Sequence, residues 1–237
     1  KVRENSLIGK ILVSGEHWIY KKADALIFTK EGDTDYIKEK KWDKNQGGDI
    51  DLSKAFYINN GVDIDAYNKS IDTNVLEDDD LEKDMFNVVY VGTIRVVNNV
   101  GNILDAAALL KKHKDIQFLI YGDGSQREIL TKRIENEGLT NVKFKGYVSK
   151  KFIPYILSRS SVNILCYSQT QYNWSRGNSS NKLFEYMASG KPIISTVKMG
   201  YSIIEKYKCG IELEKCTSNE LAEAILKIKN MSQEEYE

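Results

Sequence analysis

The sequence has little proline, histidine and cysteine. Its 237 residues include two prolines, two histidines and three cysteines. Cys166, Cys209 and Cys216 lack the spacing of a metal site or a disulfide framework, so we expect reduced thiols. His17 and His113 stand far apart and outside any motif. This argues against a histidine-centred triad and against a zinc site.

Net charge and long apolar runs are also missing. Lys+Arg and Asp+Glu both total 34, so no overall field attracts nucleic acid or anionic lipid. No apolar run approaches the ~18–20 residues that a membrane span needs, and no signal peptide is visible. The 41% hydrophobic and 29% charged content is typical of a globular protein. We therefore expect a cytoplasmic protein that does not bind nucleic acid.

From residue 84 onward, short apolar runs alternate with amphipathic stretches. The apolar runs predict strands at 86–92, 116–124, 141–146, 161–168, 192–196 and 210–213. Helices are predicted between them, the first with Asn98 or Asn99 as its N-cap and the last with a capping box. Strands that are apolar on both faces imply a parallel sheet covered on both sides. The predicted fold class is therefore α/β, with a doubly wound, Rossmann-like parallel sheet.

The preceding part of the chain has a weaker pattern. Its periodicity predicts helices and strands at 5–22, 25–29, 32–42 and 55–63. The stretch 71–84 is acidic and poor in large apolar residues, which predicts a solvated linker or an exposed helix start. We expect residues 1–83 to be a partial second α/β segment with a linker, and residues 84–237 to be one domain.

Ligands of such sheets bind at the carboxyl ends of the strands, so the strand-to-helix loops are the candidate site. Gly92 ends the first strand of the sheet, and Arg95 is the cation of its loop. The helix that follows presents free amides to an anion. Taken alone, this loop is better explained as a simple turn with a solvated arginine. Gly122 begins "GDGSQRE", which resembles part of a phosphate loop, although a tight turn is the simpler interpretation.

Residues 166–180 form a long stretch without periodicity, and loops of this length are usually functional or mobile. Tyr167, Tyr172 and Trp174 lie within it. Their side chains are suited either to stacking on a base or sugar or to packing against a neighbouring domain.

The segment "SSNKLFEYMASGKPIIS" (179–195) predicts a short helix followed by a buried strand. Its first three residues are good N-caps, and the free amides of residues 181–183 suit a diphosphate. Lys182 adds a full positive charge. Glu185 lies one turn further on, where a carboxylate can accept two hydrogen bonds from vicinal ribose hydroxyls.

These segments together resemble a known family. "SNKLFEYMASGKPIIS" resembles the signature of glycosyltransferase family 4, the retaining, nucleotide-sugar-dependent enzymes of GT-B fold. "YINNGVDIDAY" resembles the end of the family's acceptor domain, and "VVYVGTIRVVNNVGNILDAAALL" resembles the start of its donor domain. "FLIYGDG" and "NVKFKGYVSKKFIPYILSRSSVNILCYS" resemble the middle of the donor domain. The resemblance covers most of residues 10–230.

The resemblance implies roles for residues of the signature segment. Glu185 matches the second of two motif glutamates and would bind the donor ribose. Asn181, Lys182 and Leu183 would cradle the diphosphate. Arg95 and Lys182 would be the catalytic cations that stabilise the leaving diphosphate.

The resemblance also completes the expected binding set. Gly92, Thr93 and Gly122 would lie beside the donor, and the backbone near Tyr147 and Val148 would meet the nucleobase. The donor would be a UDP-sugar or a GDP-sugar, with UDP the commoner base in the family. No metal and no other cofactor is expected.

The sequence departs from the family pattern at three positions. Gly177 stands where the first motif glutamate is expected. Thr93 replaces the usual arginine after the first-strand glycine, and Asn98 replaces the usual lysine. Arg95 and Lys182 are therefore the cations left to neutralise the diphosphate, and how the donor sugar is held is open.

The family's reaction transfers a sugar, with retention, to a glycan or a lipid-linked acceptor. The implied setting is bacterial polysaccharide or lipopolysaccharide assembly at the inner face of the membrane. Residues 1–83 are too few for a whole acceptor domain, so we expect this chain to bind donor but to be inactive alone. Peripheral membrane association would need the absent N-terminal domain. Two alternatives stay open: a non-catalytic nucleotide-sugar-binding module, and a nucleotide-sugar epimerase of the same fold.

Overall fold

The computed structural model describes residues 3–170 and 174–237. The chain begins with α1 (Leu7–Lys22), β1 (Leu26–Phe28), α2 (Asp33–Glu39), β2 (Ala55–Tyr57) and α3 (Ile64–Thr73). β1 and β2 pair in parallel. Leu26, Ile37 and Ile50 form a small buried core of their own. This part is an α/β segment, as the sequence predicts.

Within the described residues, a second and larger sheet consists of the parallel strands β3 (Phe86–Val91), β4 (Ile116–Tyr121), β5 (Val142–Gly146), β6 (Val162–Leu165), β7 (Ile193–Ser195) and β8 (Gly210–Glu212). The helices of this part are α4 (Gly101–Leu109), α5 (Arg127–Glu137), α6 (Ile153–Ser158), α7 (Asn181–Ala188), α8 (Ile203–Lys206), α9 (Ser218–Lys229) and α10 (Gln233–Tyr236). The strand order is β5-β4-β3-β6-β7-β8. Counted from β3, this is the 3-2-1-4-5-6 order of a doubly wound sheet. The predicted fold class is confirmed.

The larger sheet is buried on both faces. Val88 and Tyr90 of β3 belong to one core cluster, which includes residues of α4 and α9. Val89 and Val91 belong to a second cluster, which includes residues of α6 and α7. Since successive residues of a strand point to opposite faces, helices cover the sheet from both sides.

The strand order reverses between β3 and β6, and ligands of open α/β sheets bind outside the carboxyl ends of the strands at such a point. Gly92 follows β3 directly, and the loop 166–180 follows β6. α7 begins where that loop ends. The topology thus brings three of the predicted site segments to one crevice.

The helix starts agree only partly with the sequence predictions. α9 begins with the predicted capping box. α4 begins later than expected, with Val100 at the N-cap position and no side-chain cap, so the prediction of Asn98 or Asn99 as N-cap is wrong. The Asn98 side chain accepts a hydrogen bond from Thr93 instead, at 3.3 Å. Throughout the described part of the chain, every helix is too short or too polar to span a bilayer.

Much of the predicted linker 71–84 is exposed, but its part around Asp80 and Leu81 is docked on the larger sheet. Leu81 is 3% exposed and belongs to a core cluster of that sheet. The Asp80 carboxylate accepts hydrogen bonds from Lys143 at 2.5 Å and from Lys145 at 2.8 Å. These lysines lie two residues apart on β5 and therefore share one face of the strand. The prediction of a solvated stretch fails at these two residues, because one leucine and one carboxylate with partners on another element are not revealed by average composition.

Asp80→Asn is expected to lower the free energy of unfolding by about 1–3 kcal/mol at pH 7, because it removes charge-assisted hydrogen bonds. Burial would raise the pKa of Asp80, but the hydrogen bonds from Lys143, Lys145 and Lys83 outweigh burial and hold that pKa below its ordinary value. The stabilisation is therefore complete above about pH 4 and is lost as the pH falls through the folded-state pKa.

Urea unfolding between neutral and acid pH measures this effect. The wild type and Asp80→Asn should converge at the acid end. The exposed neighbour Asp79 provides the control, since Asp79→Asn removes a charge without breaking this contact. Equal losses in the two variants would contradict the assignment.

Candidate functional site

The loops after β3, β4 and β5 pack backbone against backbone. The Gly92 amide donates to the Tyr121 carbonyl at 2.9 Å, and the Gly122 amide donates to the Gly146 carbonyl at 2.7 Å. A Cβ on Gly122 would lie 1.8 Å from the Gly92 carbonyl oxygen. No side chain fits there, so a glycine at 122 allows the backbones of the two loops to pack against each other.

α7 places Lys182 beside Gly92. The Lys182 Nζ donates to the Tyr90 hydroxyl at 3.2 Å and lies 4.4 Å and 5.3 Å from the ring centroids of Tyr90 and Tyr167. A Cβ on Gly92 would lie 2.5 Å from this nitrogen, so a glycine at 92 makes room for the ammonium group. Burial lowers the pKa of Lys182 from 10.5 to about 8. Within the described residues no carboxylate pairs with it, which leaves a poorly solvated cation at the crevice.

Tyr90 is a site residue that the sequence reasoning missed. It lies in an apolar strand, where a tyrosine is ordinarily a core residue. Its hydroxyl donates to the Thr93 carbonyl at 2.8 Å while accepting from Lys182. Its position two residues before Gly92 was the available signal, because a hydroxyl near the carboxyl end of a strand can reach the ligand crevice.

The start of α7 is only partly capped. Ser180 occupies the N-cap position, but its hydroxyl is buried and has no hydrogen-bond partner within the described residues. The Leu183 amide donates to the Ser180 carbonyl at 3.1 Å, so the prediction that this amide faces outward is wrong. The Leu183 side chain is 1% exposed and anchors the helix. The amides of Asn181 and Lys182 precede the first intrahelical bonds and stay available to an anion.

A cavity of about 370 Å³ opens on one side of this helix start. We call it the strand-end cavity; its lining residues are Lys30, Thr93, Arg95, Val97, Asn98, Tyr167, Trp174, Gly177, Asn178, Ser179 and Ser180. It brings the predicted Thr93 and Arg95 together with the N-cap of α7. Arg95 is exposed. The charged side chains among the described lining residues are Lys30 and Arg95, and none of these residues carries a carboxylate.

A second cavity, of about 380 Å³, opens beside the same helix start. We call it the α3 cavity; its lining residues are Gly61, Val62, Asp63, Ala66, Tyr67, Ser70, Lys150, Lys151, Ile153, Pro154, Asn181 and Glu185. The Glu185 side chain is 19% exposed, and its Oε1 lies 3.7 Å from the Lys150 Nζ. The start of α7 therefore lies between two cavities: Ser180 lines the strand-end cavity, and Asn181 and Glu185 line the α3 cavity.

Tyr67 is a second residue that the sequence reasoning missed. It is 5% exposed, and within the described residues its hydroxyl has no hydrogen-bond partner. It lies on α3, which the acidic-linker interpretation obscured. Asp63, the N-cap of α3, was the signal for this helix, because its carboxylate accepts a hydrogen bond from the Ala66 amide.

Other predicted residues lie outside both cavities. Tyr147 is 77% exposed, and Val148 packs against a core cluster. The predicted contact between their backbone and a nucleobase stays a prediction. Tyr172 lies outside the described residues. Tyr167 and Trp174, by contrast, line the strand-end cavity, and they contact each other with ring centroids 4.9 Å apart.

Gly177 has a structural reason to be glycine. Its φ is +100°, a conformation that side-chain-bearing residues rarely adopt. A Cβ there would make only an ordinary van der Waals contact, 3.5 Å from the Gly200 carbonyl oxygen, so the constraint is the backbone conformation. A glutamate at 177 would require a different loop conformation, so the departure from the family pattern is built into this backbone.

The N-terminal segment closes one side of the strand-end cavity. The Gly32 amide donates to the Arg176 carbonyl at 3.2 Å. The Arg176 guanidinium pairs with Glu39 at 2.6 Å and lies 4.9 Å from the Tyr36 ring centroid. These contacts bring Lys30 opposite Gly177, where its Cβ lies 3.9 Å from the position of a Cβ on Gly177.

The chain is similar to sequences of glycosyltransferases. The sequence model of the family described as "Glycosyl transferases group 1" matches residues 86–230. "Alpha-D-kanosaminyltransferase" of Streptomyces kanamyceticus is 30% identical over 141 residues, which are 58% of this chain and 35% of that protein. "Poly(ribitol-phosphate) alpha-N-acetylglucosaminyltransferase" of Staphylococcus aureus (strain COL) is 28% identical over 187 residues, or 76% of this chain and 34% of that protein. The chain thus spans about a third of the length of these curated relatives.

Solved structures with similar folds are also glycosyltransferases or nucleotide complexes. Anabaena Alr3699/HepE in complex with UDP superimposes with a TM-score of 0.71 at 19% identity, covering 97% of this chain and 60% of that chain. WaaG, described as a glycosyltransferase involved in lipopolysaccharide biosynthesis, superimposes with a TM-score of 0.65 at 14% identity, covering 96% of this chain and 60% of that chain. At such identities the likeness shows the fold, the Rossmann-like fold of GT-B glycosyltransferases.

Lys182→Met is expected to raise the free energy of unfolding by about 1–2 kcal/mol at pH 7, because it removes a poorly solvated charge that has no counter-ion. In the wild type this free energy should rise between about pH 8 and pH 10. The unfolded lysine keeps its proton over that range, whereas the folded lysine loses it.

Urea unfolding of both proteins across this pH range checks the expectation. The variant should lack the alkaline rise. Lys112→Met, at an exposed position, is the control and should shift the free energy of unfolding by less than ~0.5 kcal/mol. A Lys182→Met variant that is less stable than the wild type at pH 7 would show that the ammonium group stabilises the fold.

Proposed function

The chain belongs to the group 1 glycosyl transferases, and from this premise we propose that it binds a nucleoside-diphosphate sugar across the first turn of α7. The observation that carries the proposal is Lys182, a partly buried cation with no carboxylate partner in the described residues, beside a helix start with free amides. An unbalanced positive charge of this kind is costly to the fold, and a bound anion removes the cost.

The diphosphate would lie at the start of α7. Helix N-termini bind phosphate through free amides and the helix dipole. Lys182 contributes a full charge from beside Gly92, and Arg95 contributes another from the strand-end cavity. Together these groups replace the family's usual arginine and lysine, whose positions are Thr93 and Asn98 here.

The nucleoside would extend into the α3 cavity. Glu185 lines that cavity and is mostly buried, so its carboxylate can accept hydrogen bonds from both ribose hydroxyls. The Lys150 Nζ lies 3.7 Å from this carboxylate, at the rim of the same cavity. UDP is our first choice of nucleotide, with GDP as the alternative, and the backbone near Tyr147 and Val148 is the proposed neighbour of the base.

In the proposed reaction, the bond between the sugar C1 and the β-phosphate oxygen breaks, and a bond from C1 to an acceptor hydroxyl oxygen forms with retention. The hydroxyl proton passes to the leaving diphosphate. Lys182, Arg95 and the α7 amides stabilise the negative charge that develops on that diphosphate. The proposal requires no metal ion and no other cofactor.

The proposed acceptor is a glycan or a lipid-linked glycan, in bacterial polysaccharide or lipopolysaccharide assembly at the cytoplasmic face of the membrane. For this chain by itself we propose donor binding without transfer, because the described residues before β3 carry only a two-stranded sheet. Sugar transfer to an acceptor by the purified chain would contradict that part of the proposal.

Glu185→Ala is expected to weaken the binding of UDP or GDP by about 1.5–3 kcal/mol, because it removes charge-assisted hydrogen bonds to the ribose. Calorimetric titration gives the affinity, and the thermal midpoint reports on the fold. An unchanged affinity with a lowered midpoint would show that Glu185 is structural.

Arg95→Ala is the matched comparison in the same titrations. It should weaken the binding of UDP while leaving that of uridine unchanged, whereas Glu185→Ala should weaken both. If Arg95→Ala weakens both ligands equally, Arg95 does not bind phosphate.

A further inference from the structure

We propose that the strand-end cavity receives the transferred sugar and selects one that bears a carboxylate, a hexuronate. The inference rests on the proposed function, since it assumes that the diphosphate lies at the start of α7. It adds the chemical class of the sugar, which the family signature leaves open because Gly177 stands in place of the first motif glutamate.

Asn178 supplies an unused hydrogen-bond donor at this cavity. Asn178 is one of the residues that line the cavity, yet it is only 7% exposed. The Asn178 Oδ1 accepts a hydrogen bond from the Ser180 amide at 2.8 Å, which fixes the orientation of the side-chain amide. The Nδ2 is therefore a donor, and it has no partner within the described residues. A buried donor without a partner lowers the stability of the fold. An acceptor atom of a bound ligand would remove this cost.

The charges of the cavity point the same way. Lys30 and Arg95 line it, and none of its described lining residues is an aspartate or a glutamate. In the proposed arrangement Lys182 and Arg95 balance the two charges of the sugar-linked diphosphate. Lys30 is then left without an anion, because the described part of the chain gives its ammonium group no carboxylate partner. A carboxylate on the sugar would complete the balance.

Lys30 is held in place from two directions. Its backbone amide donates to the Asp33 carboxylate at 3.2 Å. Gly32, two residues further along the chain, donates a backbone hydrogen bond to the Arg176 carbonyl. Lys30 thus lies opposite Gly177. Position 177 is the one at which the family pattern expects a glutamate. A group that accepts hydrogen bonds from sugar hydroxyls is replaced here by donors, and donors bind a carboxylate more strongly than a neutral hydroxyl.

Calorimetric titration of this chain with UDP, UDP-glucose and UDP-glucuronate tests the inference. The two sugar nucleotides differ only at C6, where one carries a hydroxymethyl group and the other a carboxylate. The glucuronate conjugate is expected to bind at least about tenfold more tightly than the glucose conjugate. If GDP is the preferred nucleotide, GDP-mannuronate and GDP-mannose form the equivalent pair.

Two variants assign the preference to residues. Lys30→Met should bring the two sugar conjugates to within about twofold of each other and leave the affinity for UDP unchanged. Asn178→Asp keeps the acceptor for the Ser180 amide but replaces the donor by a negative charge, so it should abolish or reverse the preference. Lys10→Met, on an exposed face of α1, is the matched control and should keep the preference.

The outcomes separate the two proposals. Binding of UDP with equal affinity for the glucose and glucuronate conjugates overturns this inference and leaves the proposed function standing. A preference that survives in both Lys30→Met and Asn178→Asp, or is lost in Lys10→Met, overturns the assignment to this cavity. Failure of UDP, GDP and their sugar conjugates to bind the wild-type chain overturns both proposals.

Discussion

The site depends on a lysine that the fold holds against two tyrosine rings without a counter-anion. Lys182 lies over Tyr90 and beside Tyr167, and burial lowers its pKa to about 8. Cation–π contacts offset part of the lost hydration but do not neutralise the charge. Two structural features make the position tolerable, namely the missing side chain at Gly92 and the hydrogen bond to the Tyr90 hydroxyl. An anion bound at this point would neutralise the charge of Lys182.

The rest of the architecture places groups around that charge. The doubly wound strand order brings the β3 and β6 loops to one crevice, and α7 starts inside it. The helix start separates the α3 cavity, which contains Glu185, from the strand-end cavity, which contains Arg95 and Lys30. A nucleoside-diphosphate sugar matches this arrangement, with its nucleoside in the α3 cavity, its diphosphate at the helix start and its sugar in the strand-end cavity.

The fold was largely predictable from the sequence, whereas the site was predictable only in part. Alternating apolar runs determine a parallel sheet, because each strand is buried on both faces. Arg95 and Glu185 could be named since they stand in strand-end loops and helix starts. Tyr90, Tyr67 and Lys30 were not named, because the sequence signals near them are weak and their roles depend on which distant element packs beside them. The docking of residues 71–84 was missed for the same reason, since its lysine partners lie more than sixty residues further along the chain.

A crystal structure of the chain with UDP, and with GDP in parallel, shows directly whether the nucleotide binds across the first turn of α7. We expect the diphosphate within hydrogen-bond distance of the Lys182 Nζ and of the Asn181 and Lys182 amides. The ribose hydroxyls should lie at the Glu185 carboxylate in the α3 cavity. A nucleotide bound with its diphosphate away from Lys182, or with its ribose outside the α3 cavity, would contradict the proposed role of Lys182 and Glu185.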